Sequence, residues 1–182
     1  LQVNCVVLDK TGTVTEGKPA VTDIIAEDKK LLLQTAAGIE ALSAHPLARA
    51  ICLYAEDNGI KPLKAEKFEY KEGFGIKALC GGNETLAGNL KFMKSEGVQT
   101  ADWEEKGEEL SAQGKTAVFF ASDKKIIGLA ALSDKIKADA KSAINAFKEM
   151  GLDVYMMTGD NEKTAANIAG RLGIEHFKAE VL

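Results

Sequence analysis

The sequence predicts an α/β fold whose parallel sheet is opened after its first strand by an inserted α+β domain with an antiparallel sheet. Three observations indicate this fold. An apolar run ends at Asp9, a glycine-rich middle region alternates as hairpins do, and helical and strand patterns take turns again after Asp134. We expect residues 1–20 and 128–182 to form the discontinuous parallel domain, and residues 21–127 to form the insert, which has a normal domain size.

The early part of the chain contains one predicted strand and two predicted helices. Residues 3–8 are apolar apart from one asparagine, which is typical of a parallel strand covered on both faces. Residues 31–42 carry apolar side chains at helical spacing. A second helix is expected over residues 47–56, because Pro46 suits a first helical turn and Gly59 ends it.

The later elements follow from the same patterns. In the middle region we expect antiparallel hairpins over residues 64–87 and two helices over residues 90–95 and 102–113. A further hairpin is expected from two strands over residues 116–121 and 126–132. The last part predicts a helix, a strand, a helix and the start of another strand, with the first three over residues 138–150, 153–157 and 162–172. This order is that of β-α-β units with a parallel sheet.

Composition excludes several classes of protein. The net charge of -4 is made of interspersed acids and bases, so no basic surface for nucleic acid is expected. The longest apolar run, residues 126–132, is too short to span a bilayer, and the chain begins almost at once in a strand, so no signal peptide is expected. The three cysteines form no C-x-x-C pair, which favours free buried thiols, and the two histidines are too far apart to suggest a metal cluster.

The run Asp9-Lys10-Thr11-Gly12-Thr13 directly follows the first strand. A carboxylate held at the end of a strand, before a turn that can bend around a phosphate, suits a nucleophile that forms an acyl phosphate. The alternative is an ordinary turn or helix start after a strand, but five consecutive specified residues in this context favour phosphoryl transfer.

A second short motif, Thr158-Gly159-Asp160, ends the strand predicted over residues 153–157. The ligand crevice of an open α/β sheet lies at the carboxyl ends of its strands, so we expect Thr158 and Asp9 to face the same crevice. A helix N-terminus with a threonine hydroxyl suits a phosphate oxygen. The alternative is that Thr158 and Asp160 only cap the helix.

These two motifs resemble those of P-type ATPases, which belong to the haloacid dehalogenase-like superfamily. The resemblance implies that Asp9 accepts the γ-phosphate of ATP and that Mg2+ is held by the Asp9 carboxylate and the Thr11 carbonyl. It also implies that Thr158 holds the phosphate. The catalytic set implied in this way is Asp9, Lys10, Thr11, Thr158, Gly159 and Asp160.

Thr11 separates the ATPases of this superfamily from its phosphatases. The phosphatases carry a second aspartate two positions after the nucleophile, where it serves as a general acid and base. Threonine cannot move a proton in that way near neutral pH. We therefore expect a long-lived phosphoenzyme, which favours an energy-coupling cycle.

The insert contains a third set of motifs. The run Ser43-Ala44-His45-Pro46-Leu47-Ala48 resembles the His-Pro signature of heavy-metal-transporting P-type ATPases. Gly73-Phe74-Gly75-Ile76 and Gly88-Asn89 resemble further motifs of the same branch. The resemblance implies that the adenine and ribose of ATP are surrounded by Glu40, His45, Gly73, Gly75, Ile76, Gly88 and Asn89. The alternatives are a helix cap for His45 and turn positions for the glycines.

Two further patterns are rejected as nucleotide sites. Gly114-Lys115-Thr116 resembles the end of a P-loop, but the first glycine of that motif would fall on Glu109. A G-x-G-x-x-A pattern that starts at Gly73 lacks the helix that a dinucleotide site requires.

The resemblance covers essentially the whole chain and implies the nucleotide-binding domain and part of the phosphorylation domain of a heavy-metal pump. Monovalent copper is the expected ion, with Zn2+, Cd2+ and Co2+ as alternatives. The family's later phosphate-site lysine and Gly-Asp-Gly loop do not occur here. We therefore expect a C-terminally truncated portion of a cytosolic loop that phosphorylates poorly alone. Its partners would be ATP and the membrane and actuator domains of the same pump. Two alternatives remain: a haloacid dehalogenase-like phosphatase with a cap domain, and a nucleotide-binding module without catalysis.

Overall fold

The strands of this chain form two separate sheets, one of three parallel strands and one of six strands. The computed structural model describes residues 3–71 and 73–181. The three-stranded sheet lies in a first unit made of Leu1–Lys18, Glu109–Thr116 and Asp134–Leu182. The six-stranded sheet lies in an inserted unit made of Pro19–Glu108 and Ala117–Ser133.

The bounds of the elements are as follows. The strands are β1 Cys5–Asp9, β2 Ala20–Ala26, β3 Ala65–Lys71, β4 Gly75–Cys80, β5 Asn83–Gly88, β6 Thr116–Ser122, β7 Lys125–Ser133, β8 Asp153–Met157 and β9 His176–Lys178. The helices are α1 Lys29–Glu40, α2 Pro46–Asp57, α3 Leu90–Ser95, α4 Ala101–Ala112, α5 Ala140–Glu149 and α6 Glu162–Leu172. No helix among residues 3–71 and 73–181 is both long and apolar enough to cross a membrane.

The parallel sheet of the first unit has the strand order β1-β8-β9. Asp9 at the end of β1 is in register with Met157 at the end of β8, so the carboxyl ends of both strands reach the same edge. Helices α5 and α6 cover one face, where Ile144, Met156 and Ile168 lie in one apolar core. The predicted α/β topology of this unit is confirmed.

The expectation that the first strand is covered on both faces is wrong. Burial alternates along β1, and the Val7 side chain is 55% exposed. On the same open face Tyr155 stacks on His176 with 4.9 Å between ring centroids, beside a shallow cavity of about 540 Å³. The reason is that α5 and α6 both pack against the Val154 and Met156 side of the sheet. Cysteine burial also differs from the prediction, because Cys5 is exposed, Cys52 is half-buried and only Cys80 is buried.

The antiparallel sheet of the inserted unit has the strand order β2-β7-β6-β5-β4-β3. Helix α1 packs on β4 and β5 and against α2. Leu32, Ile51 and Phe120 belong to the core that results. Strand β2 is missing from the sequence prediction, since the polar pair at its bulge, next to Val21, interrupts the apolar alternation.

The chain passes from one unit to the other just before β2 begins and just after β7 ends. Strand β7 stays paired with β2 up to Ser133, opposite Ala20. The border expected at residues 127 and 128 therefore lies inside β7. Residues 109–116, which the sequence places in the insert, group with the first unit.

Candidate functional site

The turn after β1 presents Asp9 at the carboxyl edge of the parallel sheet. Asp9 is exposed, and no side chain in the described part of the chain pairs with its carboxylate. The turn closes with the Thr15 N–H donating to the Lys10 carbonyl at 3.0 Å, and Gly12 takes the left-handed φ of 78° that its bend requires. The Lys137 ammonium donates to the Gly12 carbonyl at 2.9 Å. The Asp9 carboxylate is therefore exposed next to a turn that is closed by a backbone hydrogen bond.

The two predicted phosphate motifs are joined by an ion pair. The Lys10 ammonium lies 2.6 Å from Asp160 Oδ2, and both side chains are only about one-tenth exposed, at 11% and 10%. A charge-assisted hydrogen bond of this length, shielded from water, is among the stronger polar contacts in proteins. The Lys10 side chain is therefore directed to Asp160, and it fixes the turn that follows Asp9 to the segment after β8.

Thr158 lies at the end of β8 and is bound to the same aspartate. Its hydroxyl donates to Asp160 Oδ2 at 2.9 Å, and the Asp160 N–H donates back to Thr158 Oγ1 at 3.1 Å. Thr158 is buried, and Gly159 between them is exposed. The cap of α6 is Asn161, whose side chain accepts from the Thr164 N–H at 2.9 Å. The alternative in which Thr158 and Asp160 cap this helix is therefore wrong.

Asp134 is a site-supporting residue that the sequence analysis missed. Its carboxylate accepts from the Thr15 hydroxyl at 2.6 Å and from the Gly17 and Lys18 N–H groups at 3.1 Å each. Asp134 thereby links the two chain segments at which the chain leaves the first unit and returns to it. The signal available in the sequence was its position, directly after the apolar run that forms β7 and before the β-α-β pattern resumes.

A resident cation would find few protein ligands here. Residues 3–71 and 73–181 contain no group of three or more His, Cys, Asp or Glu side chains placed to hold a metal. The Asp9 carboxylate and the Thr11 carbonyl are oxygen donors of the kind that Mg2+ prefers, and Mg2+ commonly takes one or two protein carboxylates with phosphate and water for the rest. The residues present therefore fit a Mg2+ ion shared with a phosphate ligand.

In the inserted unit, Glu40 and His45 flank the connection between α1 and α2. Glu40 is the last residue of α1 and only 6% exposed, and this burial raises the pKa of its carboxyl from 4.5 to about 7. His45 is the cap of α2, with Nδ1 accepting from the Leu47 N–H at 3.2 Å. Burial also lowers the pKa of His45. Both shifts thus act toward the neutral forms, and neutral His45 carries its proton on Nε2 because Nδ1 accepts from Leu47.

Gly75 and Gly88 are paired directly across β4 and β5. A Cβ atom on Gly75 would lie 2.2 Å from the Ala87 carbonyl oxygen, and one on Gly88 would lie 2.4 Å from the Phe74 carbonyl oxygen. Gly75 also has a φ of 159°. Both glycines are therefore required for the close approach of the two strands, whatever else they contact.

The other predicted nucleotide residues of the insert also have structural contacts. Asn89 caps α3 by accepting from the Phe92 N–H at 2.8 Å, and its Nδ2 donates to the Gly73 carbonyl at 3.4 Å. Ile76 is 4% exposed and lies in the same apolar core as Ile39, the neighbour of Glu40. The glycine motifs and the end of α1 are thus connected through the core of this unit.

The comparisons with known proteins agree with this fold. The sequence model of the family described as "Hydrolase: haloacid dehalogenase-like hydrolase" matches residues 3–182, and the chain belongs to this family. Among curated proteins, the copper-exporting P-type ATPase of Bacillus subtilis (strain 168) is 46% identical over 184 residues, which cover 100% of this chain and 23% of that protein. The chain therefore spans about a quarter of the length of the curated relatives that it matches.

Solved structures point to the same class of protein. A zinc-transporting PIB-type ATPase in the E2.Pi state is 35% identical with a TM-score of 0.68, and the match covers 100% of this chain and 30% of that one. The N-domain of HMA8, a copper-transporting P-type ATPase, is 25% identical with a TM-score of 0.55, and the match covers 63% of this chain and 99% of that domain. This haloacid dehalogenase-like chain is therefore homologous to P-type ATPases, and the predicted resemblance is confirmed.

Proposed function

We propose that this chain is the ATP-binding and phosphorylation portion of a heavy-metal-transporting P-type ATPase, with monovalent copper as the transported ion. The observation that carries the proposal is the 2.6 Å ion pair between Lys10 and Asp160, which unites two phosphate motifs around an exposed, unpaired Asp9. The name of the Bacillus subtilis relative supports copper. The remaining, membrane-embedded and actuator parts of the same pump are its proposed partners, and the cytosolic face of the membrane is its proposed location.

In the proposed reaction an Asp9 carboxylate oxygen attacks the γ-phosphorus of ATP. A new O–P bond forms, the bond to the bridging oxygen breaks, and ADP leaves with the electron pair, so no protein proton is required. Mg2+ held by Asp9 and the Thr11 carbonyl would offset the repulsion between the carboxylate and the phosphates. In this proposal Thr158 and the backbone around Gly159 hold phosphate oxygens, and the Thr158 hydroxyl exchanges its Asp160 acceptor for a phosphate oxygen.

The stability of the proposed acyl phosphate depends on the residue two positions after Asp9. An acyl phosphate at Asp9 is hydrolysed quickly only if a nearby group activates water. Thr11 occupies the position where a second aspartate would do this, and its hydroxyl is a poor base near neutral pH. The phosphoenzyme is therefore a store of energy in this proposal, and rapid turnover of a generic phosphate ester by this chain would favour the phosphatase alternative.

Phosphoenzyme formation tests the proposal directly in the pump that carries this chain. We expect acid-stable, hydroxylamine-sensitive label from γ-labelled ATP in the wild type and none in Asp9→Asn. Asp153→Asn is the matched control, because Asp153 is an exposed aspartate in register with Cys5 at the opposite end of the same two strands. Label that persists in Asp9→Asn would contradict the assignment, and nucleotide binding without label in the wild type would support the non-catalytic alternative.

The inserted unit is proposed to hold the adenine and ribose of ATP among Glu40, His45, Gly73, Gly75, Ile76, Gly88 and Asn89. A neutral imidazole with Nε2–H, and a carboxyl whose pKa is raised to about 7, suit an uncharged base better than fully charged groups would. Calorimetric titration of this chain with ATP tests the assignment. We expect His45→Ala to weaken binding about tenfold, and His176→Ala, in the other unit, to leave it unchanged. Equal affinities for wild type and His45→Ala would contradict the role of His45.

A further inference from the structure

The segment Glu109–Thr116 lies in sequence inside the insert but belongs by its contacts to the first unit. It comprises the last turn of α4, a short loop and the first residue of β6. Its Gly114-Lys115-Thr116 run resembles the end of a P-loop but lacks the first glycine of that motif. In the structure this run packs against α6 and contacts Asp160.

The segment is fixed along the first turns of α6 by three hydrogen bonds. Asn161 Nδ2 donates to Ser111 Oγ at 2.9 Å, and Asn167 Nδ2 donates to the Ala112 carbonyl at 2.8 Å. The Thr164 hydroxyl donates to the Lys115 carbonyl at 3.0 Å. The helix that follows the second phosphate motif is therefore held at each of its first two turns by this segment.

Gly114 allows the segment to approach so closely. Its φ is 76°, which disfavours other residues, and a Cβ atom there would lie 2.5 Å from Asn167 Oδ1. The glycine of the run is thus explained by packing against α6, with no phosphate ligand needed.

Thr116 then reaches Asp160 itself. The Thr116 hydroxyl donates to Asp160 Oδ1 at 3.0 Å, while Asp160 Oδ2 is bound by the Lys10 ammonium at 2.6 Å and by the Thr158 hydroxyl at 2.9 Å. Both oxygens of this carboxylate are therefore occupied, and the carboxylate has one fixed orientation. Without the Thr116 donor, Oδ1 would lose the hydroxyl that directs it, and the carboxylate could rotate away from Lys10.

We propose that Thr116 is a positioning residue for phosphoryl transfer: it orients Asp160, and through Asp160 it fixes the ammonium of Lys10, the residue next to the proposed nucleophile Asp9. This inference rests on the proposed function for its catalytic consequence, but its structural part stands on contacts within the first unit. Thr116 touches no reacting atom in this assignment. Its effect is on the rate of phosphoenzyme formation and not on nucleotide affinity.

The first experiment does not depend on the proposed function and uses this chain. The side-chain ammonium of Lys10 is observed by 1H–15N NMR, where a buried, ion-paired ammonium exchanges slowly with water. We expect Thr116→Val to accelerate this exchange about tenfold or more and Thr116→Ser, which keeps the hydroxyl, to stay within about twofold of wild type. Thr85→Val is the control, because Thr85 is a buried threonine of the inserted unit whose hydroxyl donates to the Asn83 carbonyl.

The second experiment measures phosphoenzyme formation in the pump that carries this chain. Thr116→Val should slow the step about tenfold at saturating ATP and leave the ATP concentration for half-maximal rate within about twofold, with Thr116→Ser close to wild type. A Thr116→Ser variant as slow as Thr116→Val, or unchanged Lys10 exchange in Thr116→Val, would overturn the inference. A wild-type pump that forms no phosphoenzyme would overturn the proposed function, and the Lys10 measurement would then still decide the positioning.

Discussion

Replacement of Glu40 by glutamine tests how burial controls the charge of the candidate nucleotide site. Glu40 is 6% exposed, and its pKa is raised by burial from 4.5 to about 7 in the folded chain. Because the folded state holds the proton more tightly than the unfolded state, stability from protonated Glu40 is complete below pH 4.5 and is lost as the pH rises through about 7. The loss corresponds to about 3 kcal/mol in total, at about 1.4 kcal/mol per pH unit.

Glu40→Gln removes this dependence, since glutamine is neutral at every pH. We expect the variant to be more stable than the wild type by less than about 1 kcal/mol at pH 5 and by about 3 kcal/mol at pH 8. Urea unfolding followed by tryptophan fluorescence measures the difference. The chain has one tryptophan, Trp103, and it lies in the inserted unit with Glu40, so the signal reports the relevant unit.

Glu27→Gln is the control for the change of charge, because Glu27 is an exposed carboxylate of the same unit. Its stability should follow the same slope with pH as the wild type. If the wild type and Glu40→Gln gave parallel curves between pH 5 and pH 8, the reasoning that burial raises the pKa of Glu40 would be refuted.

Two further substitutions test the packing and the polar contacts described above. Gly75→Ala should destabilise the inserted unit by more than about 3 kcal/mol in urea unfolding, because its Cβ would lie 2.2 Å from a carbonyl oxygen. Gly170→Ala, in a helix with open space around it, should instead stabilise the chain by about 0.5–1 kcal/mol, and similar effects of the two would contradict the steric argument. Asp134→Ala removes the acceptor of three hydrogen bonds and should cost about 3 kcal/mol. Hydrogen-exchange NMR should show faster exchange of the Gly17 and Lys18 amide protons, and unchanged protection would contradict the assigned contacts.

Much of the fold followed from local patterns in the sequence. The strand Asp153–Met157 and the helices Leu90–Ser95 and Glu162–Leu172 have the predicted bounds. The spacing of apolar residues identifies each of these elements within a short stretch of chain, and for the helices the capping residues mark the ends as well. Strand β2 escaped prediction because its partner, β7, is more than a hundred residues away in sequence, and its own alternation is broken by a bulge.

The sequence by itself determined the class of protein and the nucleophile proposed for it. Asp9 and its turn follow from adjacent residues, because a strand end and a glycine turn are local features, and Thr11 argues for a stable phosphoenzyme in the same way. The tertiary structure decided which groups support that carboxylate. Lys10 lies beside Asp9 in sequence but pairs with Asp160, and Thr116 reaches the same aspartate from a distant segment. Such contacts form only when segments that are far apart in sequence come together, and burial then strengthens each polar pair. A local sequence pattern carries no information about either the approach of distant segments or the burial.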